Sequence, residues 1–340
     1  MKIAVDAMGG DHAPREVVRG AVRAARETDL PIVLVGREEL LRDELRSMGA
    51  DGERIDVVHA SEVVEMCEVP GVALRKKKDS SIRVGLSLVA DGNASAFVSA
   101  GNSGAVMAGA LHILRKIRGI DRPAITATIP TPTGPIVLID AGANVGCKPP
   151  HLLQFGFMGD AYAKKILGIS RPRVGLVSIG AEDSKGTDLT RETGALFRRT
   201  RLNFVGNLEG RDFFAGKADV FVCDGFVGNV ALKTMEGMAS ALGHFLKEEI
   251  GKSGAAKLGV LLAGRAIRRV KKRLDYTEYG GAPLLGVKGG VVICHGASDA
   301  KAIKNGICCA GSLLRAGVEE EIAGSVAPGG HEPDEKAAAD

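Results

Sequence analysis

The chain has 340 residues, 45% hydrophobic and 25% charged, enough for a large buried core in one big α/β domain or two smaller ones. Its 45 basic and 41 acidic residues leave a net charge of only +4, and an aromatic content of 4% without Trp argues against a base-stacking nucleic-acid platform. Six cysteines show no C-x-x-C pair and no zinc-like spacing, which fits a reducing, cytosolic compartment with Cys223 and Cys294 as small core residues.

Residues 2–7 form the first predicted strand, with no charged-then-apolar export pattern ahead of it, and no apolar run reaches the length of a bilayer span. The loop Met8-Gly9-Gly10-Asp11-His12-Ala13-Pro14 follows, with Pro14 suited to the first helical position and a helix over 16–26. Strands over 31–36 and 55–60 flank a charged helix over 38–48. The basic run Arg75-Lys76-Lys77-Lys78 precedes a helix over 82–90 that Ser80 or Ser81 is placed to cap. A strand over 94–100 ends in Gly101-Asn102-Ser103-Gly104 and leads to a small-residue helix over 105–116. Strands over 124–130 and 135–140 share a Thr/Pro turn, and a hairpin there makes the sheet mixed.

Residues 140–144 then lead to a helix through 152–167. A strand over 174–180, the loop 181–188 and a helix to about 199 come next, followed by strands over 202–206 and 219–223. A long helical pattern starts near Asn229 and runs over 230–274 with a break near 251–254. The last strand, 291–294, ends in the loop 295–299 before a helix over 301–314. Apolar runs alternating with helical patterns predict an α/β fold with a largely parallel sheet covered on both faces. Residues 1–323 are expected to be a single catalytic domain, and 324–340, rich in Gly, Pro, Ala and charge, a disordered tail.

The stretch VFVCDGFVGNV (220–230) combines a strand, a glycine loop and a helix start, the local arrangement that builds an anion pocket from unpaired amide groups. The same grammar recurs in about six loops, and ligands in open α/β sheets sit outside the strand carboxyl ends. One cleft is therefore expected to gather Gly10, Asp11 and His12 with Asn102, Ser103 and Gly104. Asn144, Gly225, Gly228 and Ser298 are expected in the same lining. For any one loop a simple turn is the better reading; for all six together it is not. No G-x-G-x-x-G with its acidic partner, G-x-x-x-x-G-K-[ST], H-E-x-x-H or G-x-S-x-G occurs, so dinucleotide, P-loop, zincin and serine-elbow chemistry are not indicated.

Lys185 sits in one strand-end loop between Ser184 and Gly186, either as an anion-holding point charge or as a solvated loop lysine. Asn229 has two readings, helix N-cap or amide donor to a developing oxyanion. His12 beside Asp11 offers an acid–base pair, though Asp11 as a helix cap ranks above it. In 258–274, Val260, Ala263, Ile267, Val270 and Leu274 share one helical face, while Arg265, Arg268, Arg269, Lys271, Lys272 and Arg273 cover the rest. That segment fits an anionic membrane surface or an acidic partner, with Leu258, Leu261, Leu262, Ile267, Arg265, Arg268 and Arg269 in contact; core or dimer-interface packing is the alternative.

Seven blocks, MKIAVDAMGGDHAP (1–14), ALRKKKDSS (73–81), SAGNSG (99–104), GNLEGR (206–211), CDGFVGNVALKT (223–234), LDYTEYGG (274–281) and CHGASDAKAI (294–303), closely resemble the bacterial phosphate acyltransferase family PlsX. The match runs from Met1 to about Leu314. The resemblance implies reversible transfer of a fatty acyl group from acyl carrier protein to inorganic phosphate, giving acyl-phosphate for phospholipid synthesis. It implies a three-layer α/β/α sandwich like the isocitrate and isopropylmalate dehydrogenases. It also implies a homodimer peripherally attached to the cytoplasmic membrane, next to a membrane glycerol-3-phosphate acyltransferase, through apolar helix tips in 258–267. Lys185 and Asn229 match the lysine and asparagine given catalytic importance there. Cys67 and Gly146 depart from it, standing where an acidic residue is expected.

The chemistry agrees. Phosphate already carries a charged oxygen, so neither a strong base, a metal nor a cofactor is required; the protein must align it with a thioester and stabilise an oxyanion. The basic clusters at 75–78 and 268–273 suit an acidic carrier protein, with solvated faces as the plain alternative. The competing functional readings are a coenzyme A-dependent phosphotransacetylase, a glycine-reductase-type acetyl-phosphate enzyme, and a non-enzymatic membrane-surface scaffold.

Overall fold

A computed structural model describes residues 1–50, 52–266, 269 and 280–326, with the backbone alone at 255, 258 and 261. The first half alternates strand and helix: β1 (Ile3–Asp6), α1 (Arg15–Glu27), β2 (Ile32–Gly36), α2 (Glu38–Ser47) and β3 (Ile55–His59). Two helices, α3 (Pro70–Lys76) and α4 (Ser81–Ala90), precede β4 (Ala96–Ser99) and α5 (Ser103–Gly109), which a π-helical turn extends through Leu114. The hairpin β5 (Ala124–Ile129) and β6 (Ile136–Ile139) leads to α6 (Pro149–Leu167). Then come β7 (Arg173–Val177), α7 (Asp188–Phe197), β8 (Asn203–Leu208) and β9 (Val220–Val222). The chain continues through α8 (Gly225–Lys252), α9 (Gly254–Leu262), β10 (Ala282–Leu285), β11 (Gly290–Ile293), α10 (Ala300–Ala316) and α11 (Val318–Val326).

The strands form one eleven-stranded sheet in the order β3-β2-β1-β4-β11-β10-β5-β6-β9-β7-β8. Period-two alternation distributes each strand between two apolar layers. On β1, Ile3 and Val5 face the layer shared with α1, α6 and α10, while Ala4 faces α4 and α5. On β9, Val220 and Val222 take the first layer and Phe221 the opposite one, under α8. Strands buried on both faces are continuous apolar runs, which is why they were readable. Phe97, Phe155, Phe157, Phe197 and Phe221 are fully buried, each worth about 1.5–3 kcal/mol relative to an exposed ring. Gly20 lets α1 lie against α10: a Cβ there would stand 2.6 Å from the Cβ of Ile303.

The pairing sense holds the main departure from expectation. β10 is antiparallel to both β11 and β5, and β5 is antiparallel to β6. The sense therefore reverses three times across the centre. β6, β9, β7 and β8 are mutually parallel but run opposite to β1, β2, β3, β4 and β11. The carboxyl ends of β1, β4 and β11 lie at one sheet edge, and those of β6, β9 and β7 at the other. Six loops at a single edge is not the arrangement; the two sets meet across the β10–β5 junction.

Three local expectations are also corrected. The long helix begins at Gly225, capped by Asp224, so Asn229 is in its second turn and is not the cap. α1 has Pro14 as its N-cap with no side-chain cap bond, so Asp11 does not cap it; Ser80 precedes α4 without a cap bond, its hydroxyl turned to the Lys77 carbonyl. The expected tail from 324 starts too early, because α11 continues to Val326 with Ser325 and Val326 buried.

Candidate active site

At the first edge, Asp6 ends β1 fully buried. Its carboxylate accepts hydrogen bonds from the Ser99 hydroxyl (2.7 Å) and the Met8 amide (3.2 Å). Burial pushes this carboxyl above the usual range, opposed by the bonds from Ser81, Ser99, Met8 and Gly9. Gly9 passes directly over it: a Cβ would lie 2.3 Å from Asp6 Oδ2 and 2.7 Å from the Gly101 nitrogen. Gly10 has φ +104°, and the Asp11 amide donates to the Gly296 carbonyl at 2.8 Å. The loops after β1, β4 and β11 are thus sewn together by backbone contact, which side chains would prevent.

At the second edge, Asp140 follows β6 and is also fully buried. Oδ1 accepts the amides of Ile125, Gly142 and Ala143; Oδ2 accepts the amide and the Nδ2 of Asn144, all within 2.7–3.1 Å. Burial raises its pKa while these donors favour the carboxylate. The Asn144 carbonyl in turn accepts the Gly225 amide at 2.8 Å. Asp224 Oδ1 accepts the amides of Phe226 and Val227, and its carbonyl accepts that of Gly228. The first amides of α8 are all spent inside the protein. The expected anion pocket at this helix start is therefore absent. Gly225 and Gly228 are close-packing positions; a Cβ on Gly228 would sit 1.9 Å from the Asp140 carbonyl oxygen.

Between the two edges lies a cavity of about 400 Å³. Its floor is the sheet junction, with Ala127 and Thr128 of β5, Ala282 of β10 and Ile293 of β11. Asp11, Gly101, Ser103, Gly296 and Ser298 close the first edge. Ala141 and α8 close the other side, with Asn229, Leu232, Lys233 and Glu236. These α8 positions are spaced by three and four and share a helical face. Met66 and His295 add to the wall.

Of the residues expected in the lining, Asp11, Ser103, Asn229 and Ser298 are there. Asn102 is not available: Oδ1 caps α5 through the Ala105 amide, and Nδ2 donates to the carbonyls of Glu65, Met66 and Glu68. Asn144 is similarly used on Asp140 and the Pro123 carbonyl. Gly10 and Gly104 shape loops, Gly104 against Pro70. His12 is exposed outside the lining, so no dyad with Asp11 faces the cavity. Lys185 is exposed on the loop after β7 and does not line the cavity either. Asn229 differs from the other asparagines: its carboxamide makes no hydrogen bond to any described residue, and it stands 3.5 Å from where a Gly142 Cβ would be.

Lys233, Glu236, His295 and Thr128 were not foreseen. The spacing from Asn229 would have given the first two had the helix start been placed correctly. Cys294 also lines the cavity, but burial pushes its thiol up to about 12. Burial, then Asp140 and Asp224, push Cys147 up to about 11, and Cys223 lies well above the thiol range for the same reason. None of these three is a thiolate nucleophile at neutral pH.

Beyond the cavity, α8 exposes Phe226, Val230, Met238, Leu242 and Phe245, and α9 ends on Leu262, 82% exposed. Arg265 and Arg269 are exposed near it. Ile267 and Arg268, and the side chains of Leu258 and Leu261, lie outside the described residues. No described helix is long and apolar enough to cross a membrane.

The family model described as fatty acid synthesis protein matches residues 1–321. A Pelotomaculum thermopropionicum protein named phosphate acyltransferase is 57% identical over 326 residues, covering 96% of this chain and 95% of that protein. A Geobacter sulfurreducens protein of the same name is 53% identical over 323 residues, 95% and 93% of the two chains. Among solved structures, a phosphotransacetylase from Streptococcus pyogenes superimposes with a TM-score of 0.61 at 20% identity, covering 93% and 94%. A 4-hydroxythreonine-4-phosphate dehydrogenase from Klebsiella pneumoniae gives 0.51 at 14% identity, covering 95% and 99%. At those identities the likeness is one of fold: the expected three-layer, dehydrogenase-like α/β architecture.

Proposed function

This chain belongs to the phosphate acyltransferase family, and on that premise we propose that it moves a long-chain fatty acyl group from acyl carrier protein to inorganic phosphate by direct, metal-free attack on the thioester. The coarser statement stands already: the protein is an acyltransferase whose acceptor is phosphate. The observation that best supports the finer one is the uncommitted carboxamide of Asn229 in a cavity that mixes apolar floor with polar wall.

In the reaction, a hydrogenphosphate oxygen forms a bond to the carbonyl carbon. The carbonyl oxygen becomes an oxyanion, to which Asn229 Nδ2 donates. Collapse breaks the C–S bond, and the proton of hydrogenphosphate ends on the departing carrier thiol, so acyl-phosphate and free thiol account for every atom. The raised thiol of Cys294, the cysteine in the cavity lining, agrees with a route that has no cysteine acyl-enzyme. We read residues 1–323 as one catalytic domain, the apolar stripe of α8 as a dimer contact, and Leu262 with Arg265 and Arg269 as a contact with the cytoplasmic membrane surface.

Purified, chelator-treated protein is expected to release carrier thiol from palmitoyl-carrier protein only when phosphate is added. Acetyl-coenzyme A is expected to be the poorer donor. Absence of phosphate-dependent release with every long-chain donor tried would overturn the reading. Lys185 stays in it as a group that its exposed loop brings to bound substrate. Lys185→Ala is expected to cut turnover by about tenfold or more, as loss of a group that helps align bound substrate does, with an unchanged melting midpoint. Wild-type turnover in that variant removes Lys185 from the chemistry.

A further inference from the structure

We infer that Lys233 is the cation that holds the phosphate substrate, and that Glu236 is the internal anion which phosphate displaces. The inference rests on the cavity being the acyl-transfer site. Its starting point is a charge imbalance. Among the described residues lining the cavity, Lys233 is the only lysine or arginine, whereas Asp11 and Glu236 are both carboxylates. A hydrogenphosphate dianion entering this space meets two like charges and one opposite charge. At α8 the usual substitute for a cation, a helix start with unpaired amides, is not on offer, because its first amides are bonded to Asp224 and Asn144. Lys185 does not line the cavity.

Lys233 is placed for the task. It lies one helical turn beyond Asn229, about 6 Å along the axis, so an anion on its ammonium stands beside a carbonyl whose oxygen reaches Asn229. Its present partner is Glu236, with Nζ to Oε2 at 2.7 Å. That pair is an i,i+3 contact in which the lysine side chain is 48% exposed, the kind of ion pair that holds weakly and exchanges readily. Phosphate offers the same ammonium a stronger, doubly charged acceptor. A second donor stands in the loop after β11. The His295 Nδ1 accepts the Ala297 amide at 3.1 Å, which assigns the ring proton to Nε2, on the opposite side of the ring.

One chemistry has two sources here, since the prosthetic arm of a carrier protein also carries a phosphate. The lining favours inorganic phosphate, because the cation stands within one turn of the oxyanion donor. Kinetics separate the two. Lys233→Met is expected to raise the KM for phosphate by about 10–100-fold, as loss of one charge-assisted bond does, with the KM for palmitoyl-carrier protein within about twofold. Lys233→Arg is expected to recover part of that loss. Glu236→Gln is expected to lower the phosphate KM by a few-fold, because the competing charge is gone. A rise in the carrier-protein KM instead would assign Lys233 to the prosthetic arm and overturn the inference. An unchanged phosphate KM in Lys233→Met would overturn it as well.

Phosphorus NMR titration of the wild type and Lys233→Met with inorganic phosphate gives a second readout that needs no turnover. Weakened phosphate binding in the variant upholds the inference even where the donor reading fails, and equal binding sinks it. Should Lys233→Met not fold, Glu236→Gln decides alone, with an unchanged phosphate KM counting against the exchange.

Discussion

Asn229→Ala is expected to lower kcat by about 10²–10³-fold, the usual loss when one oxyanion donor is removed, and to leave the melting midpoint in place. The two halves of that expectation have separate causes. The side chain is exposed and bonds to no described residue, so nothing in the folded protein is orphaned by its removal. On the proposed reading, what disappears is a cavity-lining carboxamide that donates only when charge develops on the substrate. Asn229→Asp is expected to be at least as damaging, because it replaces the donor with a negative charge. A kcat within about threefold of wild type for Asn229→Ala would mean that the oxyanion is held elsewhere, since a true donor is worth far more. A parallel fall in the melting midpoint would point to a structural role instead.

The contrast among three asparagines shows how far the sequence can be read. Asn102, Asn144 and Asn229 all stand in Gly-rich strand-to-helix segments, and nothing local distinguishes them. What separates them is whether distant carbonyls need a donor. Asn102 serves three carbonyls near residue 66, and Asn144 serves that of Pro123. Those demands come from tertiary packing, so sequence pattern does not expose them. The strands were legible for the opposite reason: burial on both faces demands an apolar run, and residues 2–7, 31–36 and 135–140 supply it.

Strand sense was not legible. β10 is Ala-Pro-Leu-Leu, four residues with a proline, and its short run lacks the β-branched signature of the other strands. Missing it hid two of the three reversals, those on either side of β10; the third, at the β5–β6 hairpin, was expected, and the edge from which each loop leaves follows only from all three together. The misplaced start of α8 had a similar cost. Placing the helix start near Asn229 hid the face it shares with Lys233 and Glu236, although both lie in or beside the CDGFVGNVALKT block that carried the family resemblance.

Two glycine-to-alanine changes in the same helix are expected to act with opposite sign. In a helix interior alanine is favoured over glycine by about 0.8–1 kcal/mol, so propensity alone predicts that both stabilise. At Gly237 nothing lies within 4 Å of the added methyl, and the gain should appear in full as a raised melting midpoint. At Gly228 the methyl would stand 1.9 Å from the Asp140 carbonyl oxygen and 3.0 Å from Cys223 Sγ. The carbonyl belongs to a backbone fixed by the five hydrogen bonds on the Asp140 carboxylate, so the helix must move instead. Overpacking of this kind typically costs about 1–3 kcal/mol, which outweighs the propensity gain. The displaced helix carries Asn229 as its next residue, so Gly228→Ala should lower kcat as well as the midpoint, while Gly237→Ala changes the midpoint alone. Denaturation and turnover measured on the same two preparations check both signs. Stabilisation by Gly228→Ala would show that α8 does not rest on Asp140, and the positioning of Asn229 would then need another cause.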